Sequence, residues 1–491
     1  MPSDQTLGRI EAPTAPAALP LPPVAWTALV FLALHFALAL AIPLVEDEAY
    51  YALWATVPSA GYYDHPPMIA WWIAGGEALF GATRLGVRLL PILGFAATTM
   101  LVGRIALLAG GNRRTARAAA LMLNATLPIL ALGFTATPDA PSVFFWALTA
   151  WAVMEAQAAT GPRIETAQWW LLAGLGAGLG VLSKFTNLFL WLGLAGWLVA
   201  TPRGRRALRR PAVWASAGLA LLVLVPMARW NFAHHYAGLT RQFGRLDAAA
   251  PPHPTGLLGY VVTTVLLTTP LIFAAACFGA LRAKGAARLL LWLSLPLLAY
   301  MALHAMHAKV QANWLAPLYP MAAVLAALGL RTRTRRATWI AAGSGLALGA
   351  LALTLAFRPG VPVFPGRNPP NETKGWTAFT ADIANEAHDA KARWIATDAY
   401  GLTGSLTWYM TDLPVWSLTG ARRYLFRGPL PKALCAEPAL LVTVGAPAPA
   451  SLARFASHGA TVPLARRSRG AVIERYTATP VEGLRDCRTR P

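Results

Sequence analysis

Five ionisable residues crowd into one short stretch of this chain, and their types suggest the chemistry to look for. Glu46, Asp47 and Glu48 are consecutive, and Asp64 and His65 follow within VEDEAYYALWATVPSAGYYDHPPMIAWW, residues 45–72. The first 357 residues hold few other carboxylates. Consecutive acids between apolar segments are costly unless they meet water, a cation or a substrate. Such carboxylates are suited to take a proton from a hydroxyl or to bind a cation. Further along, Asp139 in TATPDAP, Lys184 in LSKFTN, and Lys309 and Asn313 in HAKVQANW each interrupt apolar sequence. Gathered around one cavity, two carboxylate turns and two cationic turns would accommodate a phosphate and a hydroxyl or amine acceptor. The competing reading is a solvated acidic turn, snorkelling lysines and a structural cap at His65.

The elements that must position these residues are membrane helices. The chain has 491 residues, is 56% apolar and 13% charged, and carries a net charge of +21, with positive mean hydropathy. The basic residues fall largely in short clusters between apolar runs, as the positive-inside rule expects, with no nucleic-acid motif or basic binding face. Windows of about 20 apolar residues predict eleven spans, at 24–44, 85–109, 117–134, 138–158, 168–183, 185–201, 211–229, 256–281, 287–305, 313–330 and 336–357. Arg113, Arg114 and Arg117, the cluster Arg203–Arg210, Arg282 with Lys284, and Arg331–Arg336 then share the cytoplasmic side. The first loop, 45–84, and the turns carrying Asp139, Lys184 and Lys309 share the other. The AYYALW that follows Asp47 and Glu48 has helical spacing and predicts a short surface helix with Asp47 and Tyr51 four apart on one face, and Pro66–Pro67 predict the entry to a second helix ending near Phe80.

The ends of the chain differ in kind. Residues 1–23, rich in Pro and Ala, read as a flexible cytoplasmic tail. Residues 358–491 open on a Pro/Gly-rich link and then read as an outward α/β domain. There WIATDAY, PVWSLTG and ALLVTVG predict strands, and ASLARFASHGA an amphipathic helix. Outward placement makes Cys435 and Cys487 plausible disulfide partners. The glycines of LLAGLGAGLG, 171–180, predict close helix packing rather than phosphate binding. No Walker A, dinucleotide or zinc-protease motif is present.

Several motifs in order carry a resemblance: DEAYYALW, GYYDHPPMIAWW, GVRLLP at 86–91, TPDAPSVFFWAL at 137–148, GLGVLSKFTN at 178–187 and KVQANWLAPLYP at 309–320. Across the membrane part, residues 24–330, the chain resembles bacterial family-39-type glycosyltransferases. These are similar to protein O-mannosyltransferases and the lipid A aminoarabinose transferase, all of the GT-C membrane fold. The resemblance implies sugar transfer from a polyprenyl-phosphate donor to a lipid, glycan or protein acceptor, on the periplasmic face of the bacterial inner membrane. It implies Asp47 as the catalytic acid position and Asp139 as the second outer carboxylate. The basic position before the paired prolines, often Lys in the aminoarabinose enzymes, is His65 here, which moves donor-phosphate binding toward Lys184 and Lys309. Asp47 as base, with Glu48 and Asp139 orienting the acceptor, accounts for an inverting transfer. Asp64, Tyr51 and Asn313 complete the substrate-binding set. Asp47, Glu48 and Asp139 are also the ligand set for Mg²⁺ or Mn²⁺ if a cation takes part. A transporter or lipid flippase is the alternative from another class, argued against by charges at helix ends rather than mid-membrane.

Overall fold

The computed structural model describes residues 22–244, 254–357 and 369–487. The expected tail at 1–23, apart from Pro22 and Pro23, and most of the Pro/Gly link after Phe357 lie outside them. Helix α1 (Pro22–Ala41) leads into α2 (Glu46–Ala55) and α3 (Met68–Phe80), the two short helices expected in the first loop. α4 (Arg84–Leu108) starts at Thr83, whose hydroxyl accepts from the Gly86 amide at 3.1 Å. α5 (Arg113–Asn124) starts at Asn112, whose side chain accepts from the Thr115 amide at 3.0 Å. Then come α6 (Leu127–Leu132), α7 (Asp139–Ala158), α8 (Arg163–Ser183), α9 (Leu188–Ala200), α10 (Pro202–Leu208), α11 (Pro211–Ala233) and α12 (Ala237–Phe243). The series closes with α13 (Pro254–Thr268), α14 (Pro270–Leu281), α15 (Ala287–Ala305), a 3₁₀ segment (Ala312–Leu318), α16 (Tyr319–Gly329) and α17 (Arg335–Phe357).

Helices stand at each of the eleven expected places, but fewer meet both the length and the apolarity of a span. Among the described residues six do so, or eight if each of two bent pairs is one span. The chain is thus a multi-pass membrane protein. The expected span 256–281 is corrected to two helices, α13 and α14, bent by 102°. Pro270 disfavours helical backbone at the residue before it, and Thr269 leaves the helix with φ at 70°. The span at 117–134 divides in the same way into α5 and α6. The glycine run of α8 is a packing surface: a Cβ at Gly178 would lie 2.9 Å from the Ala220 carbonyl of α11, and Gly174 lies against the Ser216 carbonyl.

Residues 369–487 hold α18 (Pro369–Glu372), α19 (Trp376–Asp389), β1 (Trp394–Thr397), α20 (Tyr400–Tyr409), β2 (Val415–Ser417) and a 3₁₀ turn (Ala421–Arg427). There follow α21 (Lys432–Cys435), β3 (Ala439–Val444), α22 (Pro449–Leu452), β4 (Phe455–His458), β5 (Val462–Ser468) and β6 (Ala471–Leu484). The strands make one sheet in the order β2-β1-β3-β6-β4, with β5 also on β6. β1 is parallel to β2 and β3, and β6 is antiparallel to its neighbours. β1 is buried along its whole length, since Ile395 packs with α19 and α20 while Trp394 packs with Phe455 and Leu484 on the other face. That two-sided cover explains why WIAT is apolar without alternation. The helix expected over ASLARFASHGA is a correction: helix ends at Leu452 and strand follows. The 14-residue β6 offers backbone partners beyond β3, and Phe455 buries its ring beside Trp394.

Candidate active site

The acids of the first loop lie in the opening turn of α2, where negative charge is favoured by the helix dipole. Asp47 is half-buried, and the Tyr400 hydroxyl of α20 donates to its Oδ1 at 3.2 Å. One turn later Tyr51 is buried. Burial first, and then the charges of Asp47, Asp64 and Asp139, push its phenol well above the ordinary value. The charges of three separate carboxylates thus act on this one phenol, and the His65 ring lies edge-on to it at 6.1 Å. The loop between α2 and α3 is fixed from within. Trp54 stacks on Tyr62 at 4.2 Å, the Tyr62 hydroxyl donates to the Trp54 carbonyl at 3.0 Å, and the Trp71 indole donates to the Ser59 carbonyl at 2.9 Å.

A second cluster is built on Asp139. Lys184, just past α8, donates to Asp139 Oδ1 at 2.6 Å, and Asn313 donates to Oδ2 at 2.7 Å. Both charges of the ion pair are buried. Three separate turns, expected from sequence to share one membrane side, thus meet through one carboxylate. Thr137 and Thr186, each two residues from a member of this pair, have buried hydroxyls with no hydrogen-bond partner among the described residues. Lys309 stands exposed at the turn after α15 and is not part of the cluster. His304 packs its ring on Tyr300 and Trp314.

Glu48 is a correction to the expected acceptor-orienting role. It is fully buried and gripped by Arg88 of α4, Nε to Oε1 at 2.7 Å and Nη2 to Oε2 at 2.5 Å. Its oxygens also accept from the Val45 and Ala136 amides at 3.1 and 2.8 Å. Arg88 spends its other donors on the carbonyls of Ala39, Ile42 and Pro43 at the end of α1. The pair therefore ties α1, α2, α4 and the turn before Asp139 together and has nothing left for a substrate. The three acids do not make a divalent-cation site either. Glu48 is spent on Arg88 and Asp139 on Lys184 and Asn313, and among the described residues no three His, Cys, Asp or Glu side chains are placed to hold a metal.

Asp64 is buried between two arginines absent from the sequence reading. Arg241 Nε lies 3.3 Å from Oδ1 and Arg423 Nη1 3.1 Å from Oδ2. The Tyr50 hydroxyl lies 3.2 Å from Oδ2 and donates to the Arg423 carbonyl at 2.9 Å. Cys435 and Cys487 are bonded, their Cα atoms 5.8 Å apart. A cavity of about 480 Å³, lined by Trp26, Phe31 and Arg117 among others, lies toward the Pro22 end of α1. The site is at the opposite end of that helix, roughly 30 Å away at 1.5 Å per residue.

Residues 64–230 match the model of the dolichyl-phosphate-mannose-protein mannosyltransferase family. The chain is 28% identical over 302 residues to the lipid A galacturonosyltransferase RgtD of Rhizobium johnstonii, covering 57% of this chain and 59% of that protein. It is 28% identical over 309 residues to undecaprenyl phosphate-alpha-4-amino-4-deoxy-L-arabinose arabinosyl transferase 1 of Pseudomonas fluorescens, covering 55% and 54%. The chain therefore spans little more than half the length of these relatives. The crystal structure of ArnT from Cupriavidus metallidurans bound to undecaprenyl phosphate shares its fold, with a TM-score of 0.66 at 15% identity over 93% of this chain and 98% of that one. The Archaeoglobus fulgidus oligosaccharyltransferase complexed with zinc and sulfate aligns at 0.51 and 12% identity, covering 86% and 68%.

Proposed function

We propose that this chain is a GT-C membrane glycosyltransferase of the family-39 type, supported by its matches, and that it moves a sugar from a polyprenyl phosphate to an envelope acceptor. The observation that supports this most is the buried Asp139–Lys184–Asn313 cluster, whose carboxylate charge reaches the Tyr51 phenol one turn along α2 from Asp47. The lipid A transferases among its relatives favour lipid A over protein as acceptor. The positive-inside pattern favours the periplasmic face of the inner membrane, with residues 369–487 on that side.

In this reading the Asp47 carboxylate takes the proton of the acceptor hydroxyl or amine. The acceptor atom bonds to the anomeric carbon, the bond from that carbon to the phosphate oxygen breaks, and its electron pair leaves with the polyprenyl phosphate. One displacement inverts the anomeric centre and needs no covalent enzyme intermediate. The leaving phosphate is met by Lys184 and His65, whose charge or hydrogen bonds offset what develops there. Asp139, held from both sides, keeps Lys184 in place and aims Asn313. The Thr137 and Thr186 hydroxyls suit sugar hydroxyls, which would give these buried groups the partners they lack.

The test is transfer by the purified full chain in proteoliposomes, supplied with undecaprenyl-phosphate sugars and lipid A. Mass spectrometry should show lipid A gaining one sugar as undecaprenyl phosphate is released, and NMR couplings of the purified product should show the inverted anomeric configuration. Release of free sugar alone, or retention of configuration, would sink the reading.

A further inference from the structure

The C-terminal domain does not merely sit on the membrane part; it reaches into the site. α20 packs closely on α2, because Gly404 lies against the Tyr50 backbone and a Cβ there would stand 3.0 Å from it. Gly401 lies in the same way against the Glu46 carboxylate. This approach brings the Tyr400 hydroxyl to Asp47 Oδ1 at 3.2 Å. The Tyr400 ring is gripped on several sides. Tyr50 meets it edge-on at 5.5 Å, and the Arg423 guanidinium lies over it at 3.9 Å. Arg423 is in turn fixed by Asp64 at 3.1 Å, and the Tyr424 hydroxyl donates to the Tyr400 carbonyl at 2.7 Å.

The geometry points to Tyr400 as the positioning residue for Asp47, with Arg423 as the group that holds Tyr400 in place. The inference rests on the reading of Asp47 as base. A half-buried carboxylate has several rotamers, and only some face an acceptor. A phenol locked by cation–π and edge contacts selects one. The domain from 369 to 487 thus completes the site across a separation of 353 residues.

The experiment compares Tyr400→Phe, Arg423→Met and Asp47→Asn with the parent in the proteoliposome transfer assay. Each is measured for kcat, for KM of the undecaprenyl-phosphate sugar, and for thermal midpoint. Losing one hydrogen bond to a charged group predicts a fall in kcat of about tenfold for Tyr400→Phe. Donor KM should stay within about twofold and the midpoint unchanged, a split that general loosening of the fold would not produce. Arg423→Met should lower kcat in the same direction, by a smaller factor, and reads the contact from the other side. Parent-level kcat in Tyr400→Phe, or a rise in donor KM at constant kcat, overturns the positioning role. If Asp47→Asn is itself fully active, the fault lies in the assignment of the base; if only Tyr400→Phe is active, it lies in this inference alone.

Discussion

Asp47 and Glu48 are neighbours in sequence with opposite fates, because successive side chains on a helix point about 100° apart. Glu48 points into the fold and meets Arg88 with both charges fully buried. Removing one partner of such a pair leaves an unpaired buried charge, at a cost of about 3–5 kcal/mol. Arg88→Met should therefore destabilise the protein by about that much, seen as a lower thermal midpoint in detergent. An unchanged midpoint would mean the ion pair is not holding α1, α2 and α4 together. Tyr51 allows a pH prediction. Its phenol is pushed up by burial and by three carboxylates, so the neutral, donating form persists above the ordinary range near pH 10. The alkaline side of the kcat profile should then have the same shape in Tyr51→Phe and in the parent. A limb near pH 9 that vanishes in Tyr51→Phe would contradict this. Asp47, Asp139, Lys184 and Asn313 were legible from sequence because polar groups stand out in an apolar chain. Arg88, Arg241 and Arg423 were not, since the chain carries 42 lysines and arginines and most obey the positive-inside pattern. Nothing local marks an arginine whose partner lies 40 or more residues away.

At the scale of elements, the two short helices of the first loop were readable from their spacing and from Pro66–Pro67, and both form as expected. What sequence windows misjudged were breaks inside apolar runs. Hydropathy averages over a kink, so α13 and α14 read as one span until Thr269 and Pro270 are seen to turn the chain by 102°. The strand at Phe455 was misread because its partner β6 was not recognisable locally. The contact between α2 and α20 rests on small residues, which gives it a direct test. Gly404→Val should force the helices apart and lower kcat in the transfer assay, while leaving the membrane helices folded. Parent-level kcat in Gly404→Val would show that docking of α20 is not needed for transfer.

The whole molecule joins a bundle of apolar helices to a mixed six-stranded sheet, and the proposed site lies where the two meet. In the proposed topology that junction is extracytoplasmic, so a reporter fused after residue 360 should report the outer side. A cytoplasmic signal would overturn the orientation. The Cys435–Cys487 bond agrees with an oxidising compartment; reduction should shift gel mobility in the parent and not in Cys435→Ser. The account stands most directly on one group, the Asp47 carboxylate. Single-turnover transfer from an undecaprenyl-phosphate sugar to lipid A, measured for Asp47→Asn and the parent in the same vesicles, tests it. The account predicts a rate lower by about 10²–10⁴-fold, with donor still bound and the protein still folded. A rate within about threefold of the parent would contradict it.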